Sequence, residues 1–232
     1  MLEQLKERVL NANLDLVKRG LVVQTFGNAS AVDDSRKFVV IKPSGVPYDA
    51  MKPEHMVVVS VETGKAVEGA HKPSTDTASH VILYRRFPSV GGVAHTHSLH
   101  ATAWAQARRE IPAFGTTHAD HAQAPIPCTR LIRQDEVEED YEANTGRIIA
   151  ERLVGMNPLD FPGVLVAGHG PFAWGASVEE AVESAFNLEF LATLASATLA
   201  VNPASPAIPD YLLRKHFLRK HGPGAYYGQG KA

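Results

Sequence analysis

The stretch Gly91-Gly92-Val93-Ala94-His95-Thr96-His97-Ser98 reads as a short buried strand ending in two histidines one residue apart. Successive side chains of a strand alternate between its faces, so positions 95 and 97 point the same way. Two imidazoles side by side can hold one metal ion, and a third ligand must come from elsewhere. A second apolar run with the same ending, Pro162-Gly163-Val164-Leu165-Val166-Ala167-Gly168-His169-Gly170, offers His169. Three histidines with a fourth position open is the pattern of a catalytic rather than a structural zinc site. Alone, an H-x-H pair is more often a hydrogen-bonded core feature than a metal site. The second strand ending in histidine and the polar loops described below shift the balance.

Composition sets the frame. A chain of 232 residues fits one domain over 1–232, long enough to bury roughly 70–75% of its extended surface without staples. Hydrophobic content of 44%, charged content of 21% and a net charge of −2 are ordinary for a globular protein and give no case for nucleic acid or membrane as partner. The single cysteine, Cys128, excludes an intrachain disulfide and fits a reducing compartment. Met1 to Arg8 reads as a charged helix without the apolar core of a signal peptide, and no apolar run approaches the roughly 20 residues of a membrane span. A cytoplasmic protein is expected.

Along the chain, Leu2, Leu5, Val9, Leu10, Leu14 and Val17 have helical spacing, and Gly20 ends that helix. Val22 to Phe26 is expected as a strand, followed by a polar turn at Gly27-Asn28-Ala29-Ser30. Ala31 to Asp33 and Phe38 to Ile41 form a hairpin, Val57 to Val61 is the most strand-like run, and Pro73 opens a helix to about Phe87, capped by Ser74 or Thr75. A helix follows the H-x-H strand over Ser98 to Ala107. Another runs from Gln134 to Leu153, with a break expected near Gly146. Phe172 to Gly175 returns beside the second histidine-ending strand. Ser177-Val178-Glu179-Glu180 is a capping box for a long helix with Ala181, Ala185, Leu188, Ala192, Ala195 and Leu199 on one side, small enough for close packing. Asp210 to His221 is a basic helix. Hairpin links outnumber βαβ alternation, so the expected fold is α/β, a largely antiparallel or mixed sheet with helices on its faces.

Three short segments share small, hydroxylated or amide-bearing character beside Gly or Pro: Gly27-Asn28, Ser44-Gly45 and Ser74-Thr75. Each alone is an ordinary turn or cap. Together, with hydroxyls and backbone N–H groups at turns and a helix start, they suit an anion such as a phosphate, and Lys42 adds positive charge. Asp76 is favourable in a first helical turn for structural reasons, yet it could also reach the metal or act as a base. Asp120, in Thr116-Thr117-His118-Ala119-Asp120-His121, is either a solvated loop carboxylate or a general acid/base. Tyr226 and Tyr227, on a tail that frays unless docked, are expected against something, such as a neighbouring subunit.

These residues fall in blocks that resemble the class II aldolase/adducin family, and within it the ketopentose-phosphate 4-epimerases. The blocks run Thr25 to Ser30, Ile41 to Val46, Lys72 to Thr77, His95 to Ser98, Gly115 to Asp120, Ile126 to Arg130, His169 to Gly175, and the tail from Leu218 to Gln229. The resemblance implies an αβα-layered fold around a central, mostly antiparallel sheet, and a homotetramer of fourfold symmetry with active sites at subunit interfaces. It implies Zn2+ on His95, His97 and His169, with Asp76 as an additional ligand; imidazole also suits Mn2+ or Co2+. Gly27, Asn28, Lys42, Ser44, Gly45, Ser74, Thr75, Asp76 and His216 carry over as substrate contacts. Asp120 and Tyr227 carry over as the proton-transfer pair, Tyr227 from an adjacent subunit and chosen over Tyr226 by counting back from Gly228-Gln229. One departure stands out: Ala167-Gly168-His169-Gly170 replaces a frequent His-Ser-His-Gly, keeping the ligand and losing its companion.

The activity so implied is conversion of the phosphorylated ketopentose L-ribulose 5-phosphate to D-xylulose 5-phosphate at C4, in pentose (L-arabinose) catabolism, through C3–C4 cleavage and re-formation. The nearest rival is a class II aldolase of the L-fuculose 1-phosphate type that releases both halves. A non-catalytic adducin-like module is a rival of another class, against which the intact His95, His97, His169 and Asp120 speak. A zinc hydrolase is disfavoured by the lack of an H-E-x-x-H helix.

Overall fold

A computed structural model describes residues 2–226 of the chain. In chain order its elements are α1 (Glu3–Lys18), β1 (Gly27–Val32), β2 (Phe38–Ile41), β3 (Val57–Ser60), β4 (Ala66–Glu68), α2 (Thr77–Arg86), β5 (Gly92–Thr96), α3 (Leu99–Gln106), α4 (Thr116–Ala119), α5 (Gln134–Arg152), β6 (Gly163–Val166), β7 (Gly170–Gly175), α6 (Val178–Val201) and α7 (Asp210–His221), with short 3-10 turns between. The strands form one seven-stranded sheet in the order β4-β3-β2-β1-β5-β7-β6, and every neighbouring pair is antiparallel.

Strand alternation splits the core into two layers. Ala29, Ala31, Val40, Val58, Ala94 and Ala173 face α1 and α6. Val39, Ile41, Val57, Val59, Val93, Val164, Phe172 and Trp174 face α2 and α5. The result is the expected αβα sandwich. The alanines on the first face let α6 lie close, and two glycines complete the approach. A Cβ on Gly92 would stand 2.4 Å from the Ser177 carbonyl oxygen and the Val178 Cα, and one on Gly175 would stand 2.4 Å from the Glu180 Cβ. The Ser177 side chain accepts from the Glu180 amide at 3.2 Å and so caps α6. Although α6 has the length and mean hydropathy (1.3) of a membrane span by composition, its Ala181, Ala185, Leu188, Ala192 and Ala195 are buried against the rest of the chain. Four glutamates along α6 hide that apolar run from simple inspection.

Three local expectations are corrected. Val22 to Phe26 is a tight turn closed by a Phe26 N–H to Val23 C=O bond of 3.0 Å, and the strand is the supposed polar turn, Gly27–Val32. Its pairing with β2 starts only at Ser30. The buried side chain of Asn13 on α1 fills the gap: its Oδ1 accepts from the Ala29 amide at 2.8 Å and its Nδ2 donates to the Ala29 carbonyl at 3.0 Å. The helix expected from Ser74 or Thr75 is capped instead at Asp76, because Ser74 is still tied into a loop clamp by its amide bond to the Lys42 carbonyl, 2.9 Å. The break in α5 is at Asp140, with φ −166° and ψ 87°. Gly146 continues the helix and allows its contact with α2, where a Cβ would sit 3.0 Å from the Ser79 Cα.

Replacing Asn13 by Ala leaves the Ala29 amide and carbonyl unpaired inside the core. The variant is expected to lose about 1–3 kcal/mol of stability, read as a melting temperature lower by about 2–4 °C per kcal/mol. An unchanged melt would show that β1 does not depend on this contact.

Candidate metal centre

His95 closes β5 in a row across the sheet, opposite Asn28 on β1 and Phe172 on β7. Its ring is stacked on Phe172 at 4.2 Å between centroids. Its Nδ1 lies 2.9 Å from the Pro171 carbonyl oxygen and must donate to it, since a carbonyl only accepts. That fixes the tautomer and leaves Nε2 as a bare lone pair. The lone pair points at His97 Nε2, 3.1 Å away, so a proton or a cation must lie between the two nitrogens. The β6–β7 turn passes through Gly168, with φ +75°, and delivers His169 to the same place. The three ring centroids stand 4.9, 4.8 and 5.1 Å apart, and one nitrogen from each falls within 4.8 Å of the others.

The donor set fits a zinc-like ion. Nitrogens about 2.0–2.1 Å from a tetrahedral centre lie about 3.3–3.4 Å apart, close to the 3.1 Å separating His95 from His97. Metal ligation needs neutral imidazole, and burial lowers the pKa of all three rings. His169 falls to about 4, through burial first and its two histidine neighbours second, while His95 and His97 are lowered mainly by burial.

The other predicted groups form the rim of a cleft of about 300 Å³ lined by Gly27, Asn28, Lys42, Ser44, Gly45, Ser74, Thr75 and Asp76 with the three histidines. Asn28 donates from Nδ2 to Asp76 Oδ2 at 2.6 Å, and among the described residues its buried Oδ1 has no partner. Burial opposes the charged form of Asp76, but His95, His80 and the Asn28 bond outweigh it and hold the carboxyl below its usual range. The Ser44 and Ser74 segments are clamped by reciprocal backbone bonds, Ser44 to Lys72 and Ser74 to Lys42, both 2.9 Å. Among the described residues the amides of Gly45, Thr75 and Asp76 have no intrachain acceptor, leaving outward donors beside a helix N-terminus. Gly27 is needed as glycine: its φ is +128°, and a Cβ there would meet the His95 carbonyl oxygen at 3.1 Å. Lys42 is 3% exposed, donates to the Thr25 and Gly27 carbonyls at 3.0 and 3.2 Å, and lies over the Tyr48 ring at 4.5 Å. Burial pushes it down to about 8, with Asp76 pulling part of the way back. Such a rim can bind an anion beside the three histidines.

Asp120 and His216 are brought together elsewhere, and neither lines the cleft. Asp120 follows α4 and is gripped by α7: Arg219 Nε and Nη2 donate to its two oxygens at 3.0 and 2.7 Å, and His216 Nδ1 lies 3.2 Å from Oδ1. Burial raises the carboxyl, but Arg219, His216 and Lys220 together hold it below its usual range, so it is ionised at neutral pH. Tyr227 lies outside the described residues. Sequence reasoning missed three neighbours of the centre. Phe26 sits 6.2 Å from the His97 ring. His80, fully buried and lowered to about 3 by that burial, pairs with Ser30 Oγ at 2.7 Å behind the cleft. Tyr141 places its hydroxyl 3.2 Å from His169 Nδ1. Only a period count over α2 could have put His80 on the inner face; nothing local marks Tyr141.

The model of one family, described as Class II Aldolase and Adducin N-terminal domain, matches residues 7–196. The L-ribulose-5-phosphate 4-epimerase UlaF of Salmonella paratyphi C (strain RKS4594) is 55% identical over 228 residues, 98% of this chain and 100% of that protein. The protein of the same name from Salmonella typhi is 54% identical over the same span. An L-fuculose 1-phosphate aldolase shares the fold with a TM-score of 0.78 at 22% identity, over 93% of this chain and 95% of that one. The L-fuculose-1-phosphate aldolase from Thermus thermophilus does so with a TM-score of 0.64 at 23% identity, over 88% and 98%.

Lys42 gives a test of the rim. With a folded pKa near 8 against 10.5 unfolded, the unfolded chain binds the extra proton between these values, so stability rises with pH there. Relative to Lys42→Met, the wild-type protein is expected to gain about 3 kcal/mol between pH 7 and pH 11, measured by urea unfolding at each pH. A pH-independent difference would mean that the two carbonyls and Asp76 fully offset the burial of Lys42.

Proposed function

Because the chain belongs to the class II aldolase and adducin family, we propose that it is a metal-dependent epimerase interconverting L-ribulose 5-phosphate and D-xylulose 5-phosphate at C4. The observation that carries this reading is the whole-length likeness to relatives bearing that enzyme name. The cleft supplies chemistry to match. His95, His97 and His169 hold the ion, with Asp76 beside them as a further ligand or a group displaced by substrate. Zn2+ suits three imidazoles, with Co2+, or Mn2+ through the Asp76 carboxylate, as alternatives; once bound, the ion would supply Lewis acidity at the C2 carbonyl.

The C4–H of a 2-ketose is not acidic, so direct deprotonation is a poor route. Breaking C3–C4 is better, because the electron pair left on C3 is conjugated with the C2 carbonyl as an enediolate. A base removes the C4 hydroxyl proton, the C4–O bond becomes a carbonyl, and C3–C4 breaks to give glycolaldehyde phosphate. The aldehyde turns over, C3 attacks its other face, and an acid returns the proton to the new C4 oxygen. Ser44, Gly45, Ser74, Thr75 and Lys42 hold the phosphate throughout, so the aldehyde turns without leaving. Gly27 and Asn28 shape the wall beside it. Retention of the aldehyde is what separates an epimerase from an aldolase.

Two proton carriers are needed, one for each face. We assign them to Asp120 and Tyr227 with His216 near the substrate, reaching the cleft of an adjacent copy in a homotetramer. The ionised state of Asp120, held by Arg219, supports a role as base. The single buried thiol, Cys128, fits a reducing cytoplasmic setting.

The zinc-loaded protein incubated with L-ribulose 5-phosphate is expected to accumulate D-xylulose 5-phosphate with little free glycolaldehyde phosphate. Free aldehyde as main product would make it an aldolase, and no turnover with metal bound would mean another phosphosugar. Asp120→Asn is expected to keep its metal and lose roughly 10²–10⁴-fold in kcat, whereas His97→Asn loses metal and activity together. Full activity in Asp120→Asn would remove Asp120 from the mechanism.

A further inference from the structure

His95 near the end of β5 and His169 in the β6–β7 turn are oriented by different means. His95 has a backbone acceptor for its Nδ1 proton, the Pro171 carbonyl. The Nδ1 of His169 has no backbone partner among the described residues, and the residues before it, Ala167 and Gly168, carry no side-chain acceptor. Among the described residues its one hydrogen-bond partner is the Tyr141 hydroxyl, 3.2 Å away, and the Tyr141 ring lies over the imidazole at 6.1 Å between centroids and 29° between planes.

The position of Tyr141 is built into α5. Asp140 leaves helical geometry, with φ −166° and ψ 87°, and its Oδ1 accepts from the Ala143 amide at 3.2 Å. That is the geometry of a cap three residues before the bonded amide, so Asp140 starts a second helical segment whose first residue is Tyr141. The segment is anchored on α2, where Ser79 Oγ donates to the Glu142 carbonyl. A continuous helix would carry residue 141 on a different heading. The break in α5 therefore has a structural result: it sets a phenol against the third imidazole.

We infer that Tyr141 is a positioning residue of the metal centre, its phenolic oxygen accepting the Nδ1 proton of His169 and so keeping Nε2 unprotonated for a metal ion. This rests on the metal-dependent reading above. Partners of this kind hold ring orientation and tautomer, and their loss typically weakens metal affinity about 10–100-fold. Tyr141 does not line the cleft, so its contribution passes through His169 rather than through contact with substrate.

The test compares wild-type protein with Tyr141→Phe, which keeps the ring and removes the oxygen. Dissociation constants for Zn2+ and Co2+ are measured by competition with a chelator, together with the visible absorption of the Co2+ forms. Long-range 1H–15N spectra of the metal-free proteins report the His169 tautomer, and metal-free melting curves check folding. The expected result is about 10–100-fold weaker binding, an altered Co2+ spectrum, and loss of the single Nδ1–H tautomer at unchanged metal-free stability. Equal dissociation constants, or an unchanged His169 tautomer, would overturn the inference while leaving the metal centre standing. If the wild-type protein binds neither ion, the metal-dependent function falls first and this inference with it. Should the variant melt early, the wild-type tautomer alone decides: a proton on Nε2 contradicts the assigned role.

Discussion

The hydrogen bond from His95 Nδ1 to the Pro171 carbonyl joins the core of this protein to its chemistry. It exists because β5 and β7 pair in one register, His95 opposite Phe172, which sets the acceptor beside the ring and the Phe172 face beneath it. On the other face α6 lies close against the same two strands, and Gly92 and Gly175 permit it by leaving out the side chains that would strike the helix. The turn at Gly168 then folds the end of β6 back over the pair. The pairing of two strands thus determines which nitrogen of the imidazole is free.

The electrostatics of the cleft follow from the same burial. Desolvation disfavours charge on each imidazole, which keeps the ligands in the form a metal requires. It also disfavours charge on Lys42, yet that ammonium is retained by two backbone carbonyls and the Tyr48 face. Asp76 offers the opposite sign a short distance away. Among the described residues, amides without intrachain acceptors, an unpartnered Asn28 oxygen and a buried ammonium give the cleft the donors and the acceptor that an anionic, hydroxyl-bearing ligand needs. Asp120 is handled differently: it is kept charged by α7, outside this cleft.

Much of this was legible in the residues, and the reasons for the rest are physical. His95, His97 and His169 announce themselves because they end apolar runs, and period two then fixes the common face of the first two. The Ser177 cap and the small side of α6 are local patterns, and both are found in the structure. The strand at Gly27–Val32 was not readable, because Gly, Asn, Ala and Ser resemble a turn and become a strand by pairing with β5, distant in sequence, while Asn13 of α1 supplies the partners of Ala29 on the other edge. The break in α5 falls at Asp140 rather than Gly146 because glycine here serves close helix packing, an effect of tertiary context rather than of helix propensity. Tyr141 and His80 matter through contacts with residues far away in sequence, which no local pattern records. The roles given to Asp120, His216 and Tyr227 come from family resemblance, since no spacing or local pattern marks them.

The central claim is that this site breaks and remakes a carbon–carbon bond rather than removing a proton from C4. Running the reaction in D2O and measuring deuterium at C4 of the D-xylulose 5-phosphate by NMR tests it directly. Cleavage and re-formation keep the original C4–H bond, so the product should carry no deuterium at C4 through many turnovers. One deuterium at C4 per epimerisation would contradict the account and require a base acting on that carbon.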